Sequence, residues 1–268
     1  MDSTDIKEMV RNRYGSIAAA NSPCCAPATS CCGPEQAKAV SVGYSQAELD
    51  AVPEGANLGL GCGNPQAIAA LRPGEVLIDL GSGAGFDCLL AAKQVGAQGH
   101  VIGVDMTHEM LKKARDNAAR IGASNVEFRL GELEHLPVAD GTGDVIISNC
   151  VINLVPDKAQ VFREAFRVLK PGGRIAIADV VNIRPLPKEL ATDKALLCGC
   201  VAGAAPTTDV EAWLRAAGFT DIRIEVKPES REYVATWATG RGIENYVASA
   251  NIEARKPAAG CCAPDCCG

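Results

Sequence analysis

The sequence predicts an α/β protein whose mostly parallel sheet carries helices on both faces. Short apolar runs of strand length alternate with longer runs of helical periodicity between residues 75 and 255, and such alternation is typical of parallel sheets. With 268 residues, 47% of them hydrophobic, the chain can bury the core of one large domain. A glycine-rich loop, DLGSGAGF (79–86), follows the first apolar run. Ligands bind beyond the carboxyl ends of the strands in such sheets, so this loop marks the expected binding edge.

We expect seven strands, because seven short segments combine apolar residues with flanking glycine, polar or acidic residues. They cover 75–81, 99–105, 125–131, 143–149, 174–181, 220–227 and 245–255. The intervening segments show the 3.6-residue spacing of amphipathic helices. These helical segments are 6–20, a stretch through CLLAAKQVG (88–96), 107–122, 157–173 and 207–219.

The composition excludes several classes of function. A formal net charge of −6 argues against extended nucleic-acid binding, which needs a basic surface. No apolar run reaches the roughly 18 to 20 residues that span a bilayer. The first residues, MDSTDIKEMV, lack the basic-then-apolar pattern of a signal peptide. We therefore expect a cytoplasmic protein that contacts no membrane.

Cysteine is the compositional outlier, with 13 residues. In a reducing cytosol, metal binding or thiol chemistry is a better expectation than a disulfide framework. Doublets near the two ends hold Cys24, Cys25, Cys31, Cys32, Cys261, Cys262, Cys266 and Cys267. The remaining cysteines are Cys62, Cys88, Cys150, Cys198 and Cys200. Among these, we expect Cys88 to fill the core.

The glycine loop does not fit a dinucleotide. Phe86 replaces the third glycine of the dinucleotide fingerprint, and Asp79 before the loop would repel a phosphate. Asp79 suits a cationic or hydroxylated ligand better, while Asp87 in the next helix is expected to be only a local cap or dipole residue. Asp105 ends the second strand, where a carboxylate can accept both hydroxyls of a ribose. Met106 and the loop LGELEHLPV (130–138) are expected beside an adenine ring.

This order of features resembles class I S-adenosylmethionine-dependent methyltransferases over residues 70–181, and RVLKPGGRIAIAD (167–179) is typical of them. An NAD-binding Rossmann-like protein is the alternative. The resemblance implies a Rossmann-like fold with S-adenosylmethionine bound at the carboxyl edge of the sheet. The implied cofactor-binding residues are Asp79, Gly81, Ser82, Gly83, Asp105, Met106, Glu132, Leu133 and Asn149.

Three cysteines lie in separate segments of the chain that this topology brings to the same edge of the sheet. Cys62 lies between glycines in LGLGCGNP (58–65), Cys150 follows the fourth strand in SNCVINLVPDK (148–158), and Cys200 lies in LLCGCVAGA (196–204). The Asn/Asp-Pro-Pro-aromatic signature of adenine and cytosine methyltransferases is absent from 148–158. Three thiolates suit a thiophilic centre of pyramidal geometry, and the fourth ligand of structural zinc is missing. Trivalent arsenic fits this description.

The combination of GLGCGNP, VLIDLGSGAGFD, SNCVINL and GCVAGA resembles the arsenite S-adenosylmethionine methyltransferase family across nearly the whole chain. The resemblance implies that As(III) is bound by Cys62, Cys150 and Cys200, with Cys62 presented by a flexible loop. It also implies that Cys32, or its neighbour Cys31, takes part in thiol exchange. Arsenite and methylarsenite are the implied substrates, thioredoxin or glutathione the implied reductant, and arsenic detoxification the implied role.

Two departures from the family concern substrate preference and the number of methyl groups added. Leu60 stands where some members carry an aromatic residue, and APTTDVEAW (205–213) stands where some carry an aromatic-acidic run. Cys198 is an extra thiol beside Cys200. No general base is expected, since As(III) has a lone pair and no proton to remove. The histidines are His100, His108 and His135, and none is placed like a catalytic base. His108 and His135 are expected at the surface or as capping residues.

Under this interpretation the chain has four parts and works as a monomer. They are an N-terminal helix with a Cys-rich loop (1–57), a S-adenosylmethionine-binding core (58–181), an arsenic-site segment with the strands that complete the sheet (182–257), and a Cys-rich flexible tail (258–268). Two alternatives stay open. One is a methyltransferase for a small organic acceptor with structural cysteines, and the other is a thiol-rich metalloid-sequestering protein.

Overall fold

One mixed sheet organises the chain. In the computed structural model, which describes residues 2–20 and 35–258, the strands are β1 (Val76–Leu80), β2 (His100–Asp105), β3 (Val126–Leu130), β4 (Gly143–Asn149), β5 (Leu169–Asn182), β6 (Ala205–Pro206), β7 (Thr220–Val226) and β8 (Val247–Arg255). Their order across the sheet is β3-β2-β1-β4-β5-β8-β7, and β6 pairs with β5 at one side of this path. All pairs are parallel except the two that β8 makes with β5 and β7. The prediction of a mostly parallel sheet is confirmed.

The strand count and one boundary differ from the sequence prediction. The two-residue strand β6 makes eight strands among the described residues, where seven were expected. Strand β5 begins at Leu169, whereas the sequence predicted a helix as far as residue 173. The helix ends early because Lys170 precedes Pro171, and a residue before proline disfavours the helical region. Leu169 already has an extended backbone, with ψ at 142°.

The helices cover both faces of the sheet, as predicted. They are α1 (Ser3–Ala20), α2 (Glu35–Ser41), α3 (Gln46–Asp50), α4 (Gln66–Ala69), α5 (Phe86–Val95), α6 (His108–Arg120), α7 (Lys158–Val168), α8 (Lys188–Ala191), α9 (Lys194–Cys198), α10 (Thr207–Ala217) and α11 (Arg231–Ala235). Helices α1, α5, α6, α7 and α10 correspond to the predicted segments. The others have seven residues or fewer, too few to show a helical period in the sequence.

Alternating residues of the central strands pack into two separate core layers, one on each face of the sheet. Leu77 of β1 packs with Leu89 of α5 and Leu111 of α6 on one face. Ile78, the next residue of β1, packs with Phe162 of α7 on the other face. Since both faces are buried, β1 reads as a continuous apolar run rather than an alternating one. Each fully buried aliphatic side chain stabilises the fold by about 1.5 to 3 kcal/mol.

Helix α1 lies across the carboxyl edge of the sheet. Lys7 pairs with Glu132 at 2.7 Å and with Glu134 at 3.0 Å, both in the loop after β3. Farther along α1, the Tyr14 hydroxyl donates to the Cys198 carbonyl at 3.1 Å. The helix therefore connects the loop after β3 to the thiol-bearing turn after α9. Across the described ranges, no helix is both long and apolar enough to cross a membrane.

Candidate active site

The predicted arsenic ligands meet at the carboxyl edge of the sheet. Cys62, Cys150 and Cys200 are 2%, 7% and 2% exposed. The sulfurs of Cys62 and Cys150 lie within 4.8 Å of each other, and a carboxylate oxygen of Asp179 lies within the same distance of both. The Cys200 sulfur approaches from the other side of Cys150 and donates to the Cys150 carbonyl at 2.8 Å. The fold thus brings together thiols from three separate segments, with Cys150 between the other two.

Cys150 and Cys200 both have left-handed backbones. Their φ angles are +58° and +63°, and in the described ranges only two other non-glycine residues have a positive φ. This conformation is unfavourable for a residue with a Cβ, and such residues cluster at functional sites. The Cys150 amide is fixed by donation to the Ala178 carbonyl at 2.9 Å. The fold therefore holds both thiols in positions that an unconstrained chain would avoid.

The loop that carries Cys62 is closely packed, not the flexible segment that its glycines suggested. A Cβ on Gly61 would lie 2.7 Å from Asn149 Nδ2, and one on Gly63 would lie 2.6 Å from Ala178 Cβ. The Cys62 amide donates to Asn149 Oδ1 at 3.0 Å. Both glycines are thus required because the loop presses against β4 and β5.

A buried polar network under this loop was not predicted. Asp87 is 7% exposed, and it accepts hydrogen bonds from the Tyr44 hydroxyl at 2.7 Å and from Gln66 Nε2 at 2.9 Å. Asn149 Nδ2 donates to the Tyr44 hydroxyl at 3.0 Å and to the Gly63 carbonyl at 2.8 Å. Asp87 lies in the first turn of α5, where a local cap or dipole role was expected, and it also anchors the residues that hold Cys62. The available sequence signal was an acid within an otherwise apolar helix.

Asp179 is a second residue that the sequence did not single out. Its Oδ2 accepts from the Ile152 amide at 3.0 Å, and its Oδ1 accepts from Asn153 Nδ2 at 2.9 Å and from the Val180 amide at 2.7 Å. Burial, and then the nearby Cys150, raise the pKa of this carboxyl well above its usual range. Asp179 anchors the turn that follows Cys150. The hint in the sequence was an acid within the apolar run of β5.

The three thiols have different acidities. The neighbouring side chains of Cys200 and Cys62 hold the pKa of Cys150 well below its ordinary value. Burial raises the pKa of Cys62, and the interaction with Cys150 raises the pKa of Cys200, with burial adding to it. Cys150 is therefore the most acidic of the three thiols. A thiolate is the nucleophilic and metal-binding form of cysteine.

Two adjoining cavities lie beside the glycine loop. The Asp105 cavity is lined by Gly81, Asp105, Met106, Leu133 and residues of α1. The Asp79 cavity is lined by Asp79, Gly81, Ser82 and Asn149, and by Lys38 of α2. The two cavities share Leu60, Gly81 and Asn149. They bring together most of the residues that the sequence assigned to a nucleoside cofactor.

The geometry around Asp105 fits a ribose. The Gly83 amide donates to Asp105 Oδ2 at 3.0 Å and the Thr107 amide donates to Asp105 Oδ1 at 2.8 Å. Each oxygen keeps a lone pair for a ligand hydroxyl. Gly81, with φ at +76°, must be glycine because a Cβ would lie 2.6 Å from Val151. These features leave room for a ligand directly against the backbone.

The other predicted cofactor residues differ in their surroundings. Asp79 is 3% exposed, accepts from the Cys88 thiol at 3.1 Å, and has a pKa raised by burial and by Asp87. The Ser82 hydroxyl is buried without a hydrogen-bond partner, as expected of a group that meets a ligand. Glu132 lines neither cavity, although Glu132 and Glu134 both pair with Lys7. Glu134 lines the Asp105 cavity in its place.

A third cavity, of about 640 Å³, opens on the thiols. This thiol cavity is lined by Cys150, Cys198, Cys200, Tyr14, Tyr233 and Trp237, among others. Leu60 lines it too, and is the one residue in the described ranges that lines all three cavities. The junction at Leu60 is therefore where groups held in the cofactor cavities and at the thiols can meet.

Other sequence predictions have mixed outcomes. Cys88 fills the core, as expected, with no exposed surface. His108 and His135 lie at the surface, as expected, and His100 pairs with Glu127 at 3.1 Å. Cys31, Cys32 and the cysteines of the C-terminal tail lie outside the described residues, so their roles stay predictions. The four-part division of the chain and the monomeric state also stay predictions.

Several known proteins similar to this chain are arsenite methyltransferases. Residues 71–218 match the family described as Methyltransferase domain. The chain is 52% identical over 266 residues to the arsenite methyltransferase of Halobacterium salinarum, covering 96% of this chain and 68% of that protein. It is 42% identical over 157 residues to the arsenite methyltransferase of Homo sapiens, covering 55% of this chain and 42% of that protein. The crystal structure of an arsenic(III) S-adenosylmethionine methyltransferase from Chlamydomonas reinhardtii is similar with a TM-score of 0.60 at 35% identity, covering 84% of this chain and 74% of that one.

Proposed function

Because the chain belongs to the arsenite methyltransferase family, we propose that it methylates trivalent arsenic held by Cys62, Cys150 and Cys200, with S-adenosylmethionine as the methyl donor. One observation carries this proposal. Cys150 and Cys200 line a cavity that joins the cofactor cavities at Leu60, and the Cys62 sulfur lies within 4.8 Å of the Cys150 sulfur. Removal of arsenic from the cell is the biological role that follows from this activity.

Loading of arsenite needs no external base. Arsenite carries three hydroxyl groups, and each As–O bond is replaced by an As–S bond as one water molecule leaves. The two neutral thiols supply their own protons to two departing hydroxides. The Cys150 thiolate attacks first, and the proton for the third hydroxide comes from solvent. The product is a neutral, pyramidal As(III) centre whose lone pair remains available.

The protein's part in the methylation step is to position the arsenic and exclude water. S-adenosylmethionine, when bound, supplies an electrophilic methyl group. Asp105 and the glycine loop would hold its adenosine, and Asp79 its ammonium group. The thiols keep arsenic electron-rich and desolvated beside Leu60, and such fixed geometry lowers the barrier to an in-line displacement.

Repeated methylation requires a reductant. Each transfer uses the arsenic lone pair, so two electrons must return it to As(III). Thioredoxin or glutathione is the proposed source, and methylarsenite the substrate of the following round. Cys32 is the proposed exchange thiol, with Cys31 as the alternative. Support comes from helix α2, which begins three residues after Cys32 and whose Lys38 lines the thiol cavity.

The proposal is tested with purified protein, S-adenosylmethionine, a thiol reductant and As(III), the arsenic products being separated and quantified. We expect methylated arsenic from the wild type and a loss of at least about a hundredfold in Cys62→Ser, Cys150→Ser and Cys200→Ser, as for removal of a metal ligand. Cys198→Ser is the matched control, since Cys198 lines the same cavity. Cofactor binding without any arsenic product would instead indicate an organic acceptor.

A further inference from the structure

The Asp79 cavity has an uneven distribution of charge. Asp79 and Asp87 both line it, and Lys38 is the one cation among its described lining residues. Asp87 is already satisfied by Tyr44 and Gln66, whereas the one contact described for the Asp79 side chain is with the weakly donating Cys88 thiol. The cavity therefore offers one acidic and one basic group to a ligand. A zwitterionic group matches this pair.

Lys38 has a hydrogen-bonding partner that a ligand can replace. Its ammonium group donates to the Gly59 carbonyl and lies 6.0 Å from the centre of the Tyr233 ring. A lysine ammonium has three donors on a flexible stem, so it can keep one backbone contact and gain a carboxylate. A hydrogen bond between ions is also about twice as strong as one between neutral groups.

The other polar side chains around this cavity are mostly occupied. The Tyr44 hydroxyl donates to Asp87, and Asn149 Nδ2 donates to Tyr44 and to the Gly63 carbonyl. The Ser82 hydroxyl is the exception, since it is 7% exposed and has no partner. Lys38 and Ser82 are thus the donors left for an anionic group.

We propose that Lys38 binds the carboxylate of the amino-acid end of S-adenosylmethionine, with Ser82 as a second donor and Asp79 receiving the ammonium group. This inference rests on the proposed function for the identity of the ligand. Lys38 also lines the thiol cavity. The same side chain therefore fixes the end of the cofactor nearest the junction at Leu60, and so determines how the reactive centre is aligned.

The test compares S-adenosylmethionine with a ligand that lacks only its carboxylate and with a ligand that lacks its whole amino-acid end. Binding of S-adenosylmethionine, decarboxylated S-adenosylmethionine and 5′-methylthioadenosine is measured by calorimetry without arsenic. The proteins are the wild type, Lys38→Met, Lys38→Arg and the control Lys112→Met, whose parent side chain is 72% exposed and pairs with Asp116 away from the cavity. Wild type should favour S-adenosylmethionine over its decarboxylated form by about ten- to a hundredfold, as for one charge-assisted hydrogen bond.

In Lys38→Met this preference should fall to about twofold or less, because the variant loses affinity only for the ligand with a carboxylate. Lys38→Arg should keep most of the preference, and Lys112→Met all of it. An unchanged preference in Lys38→Met, or equal weakening of all three ligands, would overturn the assignment. The proposed function fails separately, if binding behaves as described but no methylated arsenic is formed. A wild type that binds none of the ligands overturns both.

Discussion

The Cys200 thiol donates to the backbone carbonyl of Cys150 at 2.8 Å, and both residues have left-handed backbones. The two thiols therefore form one unit in which the turn after β4 and the turn after α9 support each other. A strained conformation at two candidate ligands indicates that the surrounding fold, rather than local preference, determines their positions. The predictions below follow from this arrangement and from the packing around it.

The left-handed backbone at residue 200 should be visible in stability. Cys200→Gly should be more stable than Cys200→Ala by about 1 kcal/mol, since only glycine adopts this conformation without strain. Both variants should lose arsenic methylation. Urea denaturation measures the difference. Cys88, inside α5, is the control position. There the free energy of unfolding of the alanine variant should exceed that of the glycine variant by about 1 kcal/mol. If Cys200→Ala were as stable as Cys200→Gly, or more stable, the left-handed backbone would not be a source of strain.

Gly63 should tolerate no side chain, because a Cβ would lie 2.6 Å from Ala178 Cβ. Gly63→Ala should destabilise the fold by about 1 to 3 kcal/mol, as overpacking does, and should weaken As(III) binding by displacing Cys62. Thermal unfolding and arsenic titration test both effects. Adding Ala178→Gly removes the atom in contact and should restore part of each loss. If adding Ala178→Gly restores neither the stability nor the As(III) binding, the contact between the two Cβ atoms is not the cause of the losses.

Leu60 should control the methyl-transfer step rather than binding, since it lines the junction of the three cavities. Leu60→Ala should lower the single-turnover rate about tenfold or more by loosening the alignment of the reacting groups. The affinities of the Leu60→Ala variant for As(III) and for the cofactor should change by less than about tenfold. Rapid-quench measurements with both substrates preloaded give the rate directly. A normal rate with weakened arsenic binding would place Leu60 in the binding site alone.

Arsenite binding should take up about one proton at a pH between the pKa of Cys150 and the higher pKa values of Cys62 and Cys200. The lowered pKa of Cys150 leaves it as a thiolate, while the raised pKa values of Cys62 and Cys200 keep them as thiols. Replacement of three hydroxides by one thiolate and two thiols consumes one proton from solvent. The affinity should therefore fall up to about tenfold per pH unit above the pKa of Cys150. Calorimetry in buffers of different ionisation enthalpy measures the uptake, and Cys150→Ser should abolish it.

The sheet and the glycine loop were predictable because their signals are local. Strands β1 and β2 are short apolar runs that end in the residues now lining the two cavities, and the position of Asp105 follows from that end. The convergence of Cys62, Cys150 and Cys200 was predictable only through the family resemblance, because it depends on contacts between distant segments.

The rest depends on tertiary packing that has no local signal. Glu132 and Glu134 are equivalent in sequence and both pair with Lys7 of α1, but the Glu134 side chain is 6% exposed and lines the Asp105 cavity, whereas the Glu132 side chain is 36% exposed. The sequence indicates a local cap or dipole role for Asp87 and no role for Asp179 within its strand, because their hydrogen-bonding partners come from remote segments. Lys38 lies on a helix of seven residues that shows no clear period.

Arsenic X-ray absorption on the As(III)-loaded protein tests the central claim most directly. The sample is a variant in which the eight cysteines near the two ends are replaced by serine, leaving the five internal cysteines. The account predicts three sulfur neighbours and no oxygen around arsenic. Cys62→Ser in the same background should give two sulfurs and one oxygen. Oxygen ligands in the parent sample, or a sulfur count unchanged by Cys62→Ser, would contradict the three-thiol site.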